Sequence, residues 1–339
     1  MEILEAYCED LGRIVEIYEA QEEYFAQPAG NRHRFKFRCS DAACRASNNP
    51  LVVGVNYHKN AEESDKYQQP HFKSHANHPH IDTCIWMVRG MGKREEIPSG
   101  EERDVRHPRP KATNVVDIFE PRHSDTLFGA AAAAASAAAD ARPPAIALDD
   151  AAHEAGGQAG IRTGTTTTSR LEKLIDCWSN MEPEARRKHR IVINGRTITY
   201  HQLCLRVGIL SEEENGTRVV YGGAHVRAWP ENSPTHYYVN FIDRCDRFPE
   251  AAGDKSLTIS LPIKRLKKSR RGALLTDRIE QASRPNHYLK VYAWGEIVAR
   301  TGSQKGYELK VTALDNLVLK VVKKNLARRK RSPATDTLD

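Results

Sequence analysis

Three cysteines and several histidines lie close together near the start of the chain. Four residues separate Cys39 from Cys44, and a histidine-rich stretch at residues 70–84 ends at Cys84. Thiolates and imidazoles are the ligands that zinc prefers, usually four in a tetrahedron and supplied as two short clusters. Cys39 and Cys44 are therefore predicted to form the first cluster, and Cys84 with one histidine the second.

The histidine-rich stretch offers four candidates for the fourth ligand, which are His71, His75, His78 and His80. His80 precedes Cys84 by four positions and is the predicted ligand, with His75 as the alternate. The competing interpretation is that the three cysteines are ordinary buried thiols, which are common. Residues 67–84 are too polar to bury Cys84 without a metal, however, and four protein ligands leave no open position. A structural zinc ion is therefore predicted, whose binding energy helps to fold a small domain.

The elements around this cluster can be read from short patterns. "HRFKFRC" alternates basic and aromatic residues up to Cys39, which predicts a strand, and "NPLVVGVNYH" predicts a second strand after a turn. Residues 1–26 fit either a helix or a pair of strands.

This order of elements resembles a known family. A strand, a cysteine pair, the strand "VVGVNYHKN", the element "PHFKSH" and a late cysteine are similar to the N-terminal zinc-ribbon-like segment of the competence protein CoiA family, over about residues 35–85. The spacing of Cys39 and Cys44 is wider than the family's pattern, and "HFKSH" is one residue longer. The resemblance implies a bacterial protein associated with DNA processing and with a nuclease-type domain. A mobile-element or defence context is a further prediction.

The charge of the chain favours a polyanionic partner. The formal net charge is +7, and much of it lies in "KRLKKSRR" at 264–271 and "KKNLARRKR" at 323–331. Clustered cations bind phosphates non-specifically, although a solvated surface has the same composition. The predicted phosphate contacts are Lys264, Arg265, Lys267, Lys268, Arg270 and Arg271. Nucleic acid is thus the predicted partner, with DNA favoured over RNA, and a protein partner is a further possibility.

Export and membrane insertion are not expected. The first residues are acidic where a secretory signal is basic, and the longest apolar run, at 129–139, is far shorter than the roughly 20 residues that a membrane span needs. Seven unevenly placed cysteines fit a metal site in a reducing compartment better than a disulfide framework. The predicted location is the cytoplasm.

The predicted fold class is α+β, in four parts. Residues 1–98 form a zinc-binding module, 99–168 a low-complexity, disordered linker, 169–326 a mostly antiparallel β-rich domain, and 327–339 a disordered tail. A helix is predicted to begin after Ser169, which would be its N-cap, with Glu172 three residues later as in a capping box. Asn194–Gly195 predicts a hairpin, and the last three runs predict an OB-like or small-barrel meander.

Catalysis is a secondary hypothesis. Glu296, Glu308 and Lys310 superficially match a metal-dependent nuclease of the PD-(D/E)xK type, but an ordinary half-exposed strand has the same pattern. Tyr288, Tyr292 and Trp294 alternate on one strand, where they would either stack bases or pack in a core. A protein-interaction adaptor is the remaining alternative.

Overall fold

The computed structural model describes residues 2–59, 69–87, 115–125, 166–249, 254–300 and 305–323. These ranges combine helices with three antiparallel or mixed sheets, which confirms the α+β class. In the same ranges, no helix is both long enough and apolar enough to cross a membrane.

The first sheet belongs to the N-terminal module. It is antiparallel, in the order β1-β6-β5-β4-β2-β3. Its strands are β1 (Glu2–Ile3), β2 (Glu5–Cys8), β3 (Arg13–Glu16), β4 (Phe37–Cys39), β5 (Leu51–Val55) and β6 (His71–Ser74). Two helices accompany it, α1 (Ile17–Ala26) and α2 (Ala42–Ser47). The opening of the chain therefore forms short strands that lead into a helix.

A second sheet has the order β10-β9-β7-β8. Its strands are β7 (Ile118–Phe119), β8 (Thr167–Thr168), β9 (Arg190–Ile193) and β10 (Arg196–Thr199). Strand β7 pairs in parallel with both β8 and β9, and Phe119 and the nearby Val116 are fully buried. The prediction of a linker throughout 99–168 is therefore wrong for 115–125 and 166–168, because the apolar "VVDIFE" supplies a central strand. Residues 99–114 and 126–165, and the predicted tail at 327–339, lie outside the described residues.

Three helices flank this sheet, α3 (Leu171–Asn180), α4 (Pro183–Lys188) and α5 (Tyr200–Leu203). The N-cap of α3 is Arg170 rather than the predicted Ser169. The Ser169 hydroxyl instead accepts a hydrogen bond from Arg122 Nε at 3.1 Å. The predicted hairpin joins β9 to β10, and Asn194 and Gly195 have φ angles of 49° and 75°. Both residue types tolerate this left-handed region, which explains the turn.

The third sheet is the largest, in the order β16-β17-β14-β13-β12-β15-β18, with β11 paired to β12. Its strands are β11 (Cys204–Arg206), β12 (Val219–Trp229), β13 (His236–Arg244), β14 (Ser256–Pro262), β15 (His287–Ala293), β16 (Glu296–Ala299), β17 (Tyr307–Lys310) and β18 (Leu317–Lys323). Among the described residues, the edge strands β16 and β18 do not pair with each other. The sheet is open, so the predicted OB-like or small-barrel closure is wrong.

Two helices cover one side of this sheet, α6 (Ile263–Lys268) and α7 (Arg270–Ala282). They are joined so tightly that a Cβ on Gly272 would lie 1.8 Å from the carbonyl oxygen of Leu266. Leu275 and Ile279 of α7 are fully buried in the core beneath them. Only glycine allows the two helices to meet in this way.

The module packs directly on the rest of the chain. Helix α1 lies against α7, and the Tyr18 hydroxyl donates a hydrogen bond of 2.6 Å to the carboxylate of Asp176 in α3. Both groups are buried, so this contact is part of an interior rather than a surface encounter.

Candidate metal centre and basic surface

Four side chains of the module converge on one buried point. Cys39 is the last residue of β4, which lies between β2 and β5, and Cys44 lies in the first half of α2. His80 and Cys84 lie in the turns that follow β6. The sheet thus fixes the first cysteine, α2 supplies the second, and the other two residues come from the turns after β6.

The distances among these groups match a tetrahedral ion. Cys39 Sγ lies 3.6 Å from Cys84 Sγ, and His80 Nδ1 lies 3.4 Å from Cys84 Sγ and 3.5 Å from Cys44 Sγ. All four ligand atoms lie within 4.8 Å of one another. Metal–sulfur bonds of about 2.3 Å and metal–nitrogen bonds of about 2.0 Å give tetrahedral edges of about 3.8 Å between sulfurs and about 3.6 Å between sulfur and nitrogen. The buried cluster of three cysteines and one histidine could therefore hold a metal ion.

Burial shifts the pKa of Cys39, Cys44 and His80. It raises the pKa of the Cys39 and Cys44 thiols and lowers the pKa of His80. Neutral imidazole is the form that binds a metal, whereas a buried thiol ionises readily only when a cation compensates its charge. His80 Nε2 is buried without a hydrogen-bond partner in the described residues, and Nδ1 faces the sulfurs.

Asp41 joins the two halves of the site and was not predicted. Its carboxylate accepts hydrogen bonds from the backbone N–H of Ile85 at 3.0 Å and from that of Cys44 at 3.1 Å. These bonds from Ile85 and Cys44 lower the pKa of Asp41. The sequence signal was its position three residues before Cys44, since aspartate at a helix N-cap accepts from the third helical N–H. Nearby, Arg45 Nη1 donates to the carbonyl of Cys39 at 2.8 Å.

The other histidines of the stretch lie outside the cluster. The ring of His75, the alternate ligand, packs edge-on against that of His78 with centroids 4.8 Å apart, and its Nδ1 accepts from the N–H of Asn77. His71 Nδ1 lies 2.8 Å from the carbonyl oxygen of Gln69. The structure therefore brings His80 to the three cysteines and leaves His75 aside.

The predicted phosphate contacts separate into two groups. Arg271 has only 2% of its surface exposed and is held by four partners. It donates to the carboxylates of Glu22 and Glu172, both at 2.9 Å, and to the carbonyls of Leu317 at 2.9 Å and Leu314 at 3.0 Å. The prediction that Arg271 contacts a phosphate is wrong, because its guanidinium is already enclosed and compensated.

Arg271 belongs to a buried ion network. Glu22 also accepts from Arg170 at 2.6 Å, and Glu172 from Arg278 at 2.7 Å. Burial alone would raise the pKa of Glu172, but the attraction of Arg278 and Arg271 outweighs it and lowers the pKa to about 2. Since Glu22 lies in the module and the other four residues in the β-rich part, the network holds these parts together.

The remaining cations of the run are more accessible. Arg265 is occupied by Asp125 and by the carbonyl oxygens of Val311 and Thr312, at 2.8 and 2.7 Å, whereas Arg270 is exposed and pairs with Glu23 at 2.7 Å. The lysines differ from both arginines, because they are exposed on α6 and form no hydrogen bond or ion pair with any described residue. These are Lys264, Lys267 and Lys268.

The nuclease candidates do not assemble a metal site. Glu296 lies directly opposite Lys310 in the β16–β17 hairpin, and Glu308 opposite Val298. Within the described ranges, the cluster of Cys39, Cys44, His80 and Cys84 is the one group of three or more potential ligands close enough to hold a metal. Among the described residues, no third potential ligand lies close enough to the two glutamates to complete a catalytic metal site.

The alternating aromatics of β15 and of the residue that follows it are mostly core residues. Tyr292 and Trp294 are 1% and 8% exposed, and Trp294 packs edge-on against Phe119. Tyr288 lies at the opposite end of β15 from these two residues and is only half-buried.

Comparison with protein-family models, with curated proteins and with solved structures finds no match to this chain. The resemblance to the CoiA family therefore stays a prediction.

Proposed function

We propose that this protein binds nucleic acid, with DNA favoured over RNA, and that a structural zinc ion stabilises its N-terminal module. Zinc suits the cluster because three thiolates and one imidazole in a small tetrahedron are its usual ligands, and harder ions prefer oxygen. All seven cysteines are free thiols, which is consistent with the predicted reducing cytoplasm. With four protein ligands buried together, the ion has no open position for catalysis.

Metal content tests the zinc proposal. We expect one zinc per chain by elemental mass spectrometry, and loss of the metal in Cys44→Ser. Cys8→Ser is the matched control, because Cys8 is equally buried in the same module but lies outside the cluster. A wild-type chain purified without metal, and unable to take up zinc, would contradict the proposal.

The observation that carries nucleic-acid binding is the group of three exposed lysines on α6, Lys264, Lys267 and Lys268, in a chain of net charge +7. Structural arginines of the same run are compensated by carboxylates, whereas no described carboxylate compensates these lysines. Uncompensated clustered cations release counterions when they bind phosphates, which favours association at low salt.

Salt-dependent binding tests this role. Each lysine–phosphate contact contributes about 0.9 to the logarithmic salt slope for duplex DNA and about 0.7 for a single strand. Replacing Lys264, Lys267 and Lys268 by alanine should therefore lower the slope by about two to three and weaken binding. The control triple variant replaces exposed lysines on other elements, with the same loss of charge: Lys59, Lys73 and Lys188.

Equal effects of the two triple variants would show that overall charge, rather than α6, governs binding. Magnesium-dependent cleavage abolished by Glu308→Ala would instead support the nuclease alternative. No binding of any strand at low salt would overturn the proposal and leave the adaptor.

A further inference from the structure

The side of the large sheet that faces away from α6 and α7 has two parts. Tyr292 and Val318 on this side are buried in the core formed with α3 and the second sheet. Beyond them the side chains reach the surface. This second part is called the open face and comprises Arg227, Trp229, His236, Tyr238, Ile242 and Tyr288.

Strand register places these residues side by side. Trp229 pairs with His236, and Arg227 with Tyr238, across β12 and β13. The rings of His236 and Tyr238 are nearly parallel, with planes 16° apart and centroids 6.1 Å apart. The guanidinium of Arg227 lies 5.2 Å from the centroid of Trp229. The open face is therefore a row of aromatic rings and one cation on a rigid sheet.

Large apolar groups are exposed at both ends of this row. Trp229 is 48% exposed and Ile242 is 56% exposed. Together with the aromatic rings between them, these groups form a contiguous surface of the kind that contacts a ligand or partner. The surface extends over about 26 Å, at about 3.3 Å per residue along β12 from 221 to 229.

A recess of about 340 Å³ lies at the end of the open face near Ile242. Gly223 forms its floor, and a Cβ there would approach Ile242 Cδ1 to 3.1 Å and Tyr288 Cε2 to 3.5 Å. Tyr221 and Tyr288 line the recess together with Ile242. The absence of a side chain at Gly223 thus lets Ile242 and Tyr288 approach the backbone of β12 closely.

The charges around the open face favour an anionic ligand. Lys290 and Arg206 line the recess, where Asp243 compensates Arg206 through two bonds of 2.8 Å. At the opposite end, Arg227 forms an exposed ion pair of 3.5 Å with Glu231. An extended anion lying along β12 would therefore meet Lys290 at one end and Arg227 at the other.

We propose that the open face binds one unpaired strand of nucleic acid, whose bases stack on Tyr238, Trp229 and Tyr288 while its phosphates lie near Arg227 and Lys290. Exposed aromatic rings on a sheet bind the faces of unstacked bases, which a duplex hides between its own base pairs. This proposal rests on the nucleic-acid binding proposed above and adds the strandedness and the surface.

Fluorescence anisotropy with the full zinc-bound chain tests it, with one labelled oligonucleotide used as a single strand and annealed to its complement. Tyr238→Ala should raise the Kd for the single strand by between about fivefold and about 100-fold and leave the salt slope unchanged. Ile242→Glu is a second variant that leaves the core intact, because this side chain is already exposed, and it should also weaken single-strand binding. Ile14→Glu, at a 43% exposed isoleucine of the module, is its control and should bind as the wild type does.

The outcomes separate this proposal from the broader one. Unchanged single-strand affinity in Tyr238→Ala and Ile242→Glu, or duplex bound as tightly as single strand, would overturn the open-face proposal. If the triple lysine variant still weakens binding in that case, nucleic-acid binding stands without the open face. If the wild type binds no strand, both proposals fail. A change in sedimentation of Ile242→Glu with unchanged strand binding would make the open face a contact between copies of the chain.

Discussion

Replacing Arg271 by methionine should destabilise the folded chain strongly, whereas the same change at the neighbouring Arg270 should not. Arg271 is 2% exposed and makes four hydrogen bonds, two of them to carboxylates. Breaking a buried ion pair costs about 3–5 kcal/mol, because the remaining charges lose their compensation in a medium that solvates them poorly. Glu22 and Glu172 would each keep one arginine, Arg170 and Arg278, so we expect a loss near 3 kcal/mol rather than more.

Arg270 is the matched control, since it has the same residue type and the adjacent position in α7. Its side chain is 56% exposed and makes one ion pair, with Glu23. Surface pairs contribute about 0–1 kcal/mol. Urea unfolding of zinc-saturated protein, followed by tryptophan fluorescence, gives both free energies of unfolding, and metal content confirms that the cluster is unaffected. A loss below about 1 kcal/mol for Arg271→Met, or equal losses for both variants, would refute the assignment of Arg271 to a buried network.

Three further predictions concern pH, the metal site and the backbone. The pKa of Glu172 is lowered from 4.5 to about 2, so its ionisation contributes about 3 kcal/mol of stability above pH 4.5, and this contribution is lost as the pH falls toward 2. The difference in unfolding free energy between wild type and Glu172→Gln should therefore shrink over that range. A constant difference would count against the role of Glu172. Asp41→Ala should weaken zinc binding about 10–100-fold in a chelator competition, while Asp82→Ala, at an exposed aspartate between His80 and Cys84, should not; equal affinities would contradict the role of Asp41. Gly272→Ala should lower the free energy of unfolding by about 3 kcal/mol, because the added Cβ would overlap backbone atoms of Leu266. Gly30→Ala, with open space around it, should change this free energy little. Similar melting temperatures for the two variants would show that α6 and α7 can separate.

The local features of this protein could be predicted from the sequence. The stretch at 67–84 is too polar to bury Cys84 without a metal, so the types and spacing of Cys39, Cys44 and Cys84 already indicated a metal. The Asn194–Gly195 hairpin also depends only on local backbone preferences, and the structure confirms it. The class of the fold followed from many short alternating runs, since the period of two along a strand does not depend on its partner.

The pairing of strands into sheets depends on residues that are distant in the sequence. This explains why the predictions of the linker and of the barrel were wrong. The patch "VVDIFE" is too short to be distinguished from an apolar segment within a linker. Only its position between β8 and β9 makes it a central strand. The last runs of the chain form strands whose partners are distant in the sequence, since β17 pairs with β14 and β18 with β15. Their succession along the chain suggested a closed barrel, but the sheet that they form is open.

The basic run shows most clearly what only the tertiary structure decided. In the sequence, Lys268 and Arg271 are neighbouring cations of one string, with nothing to distinguish their roles. In the fold, α6 exposes Lys268, whereas α7 turns Arg271 toward Glu22 and Glu172, which lie 249 and 99 positions away. A charge can be buried only where distant parts of the chain bring opposite charges to it, and such partners cannot be read from its sequence neighbours. The sequence by itself determined which residues could bind a metal and where turns and strands begin, and the folded structure alone determined which cations hold the protein together and which remain at its surface.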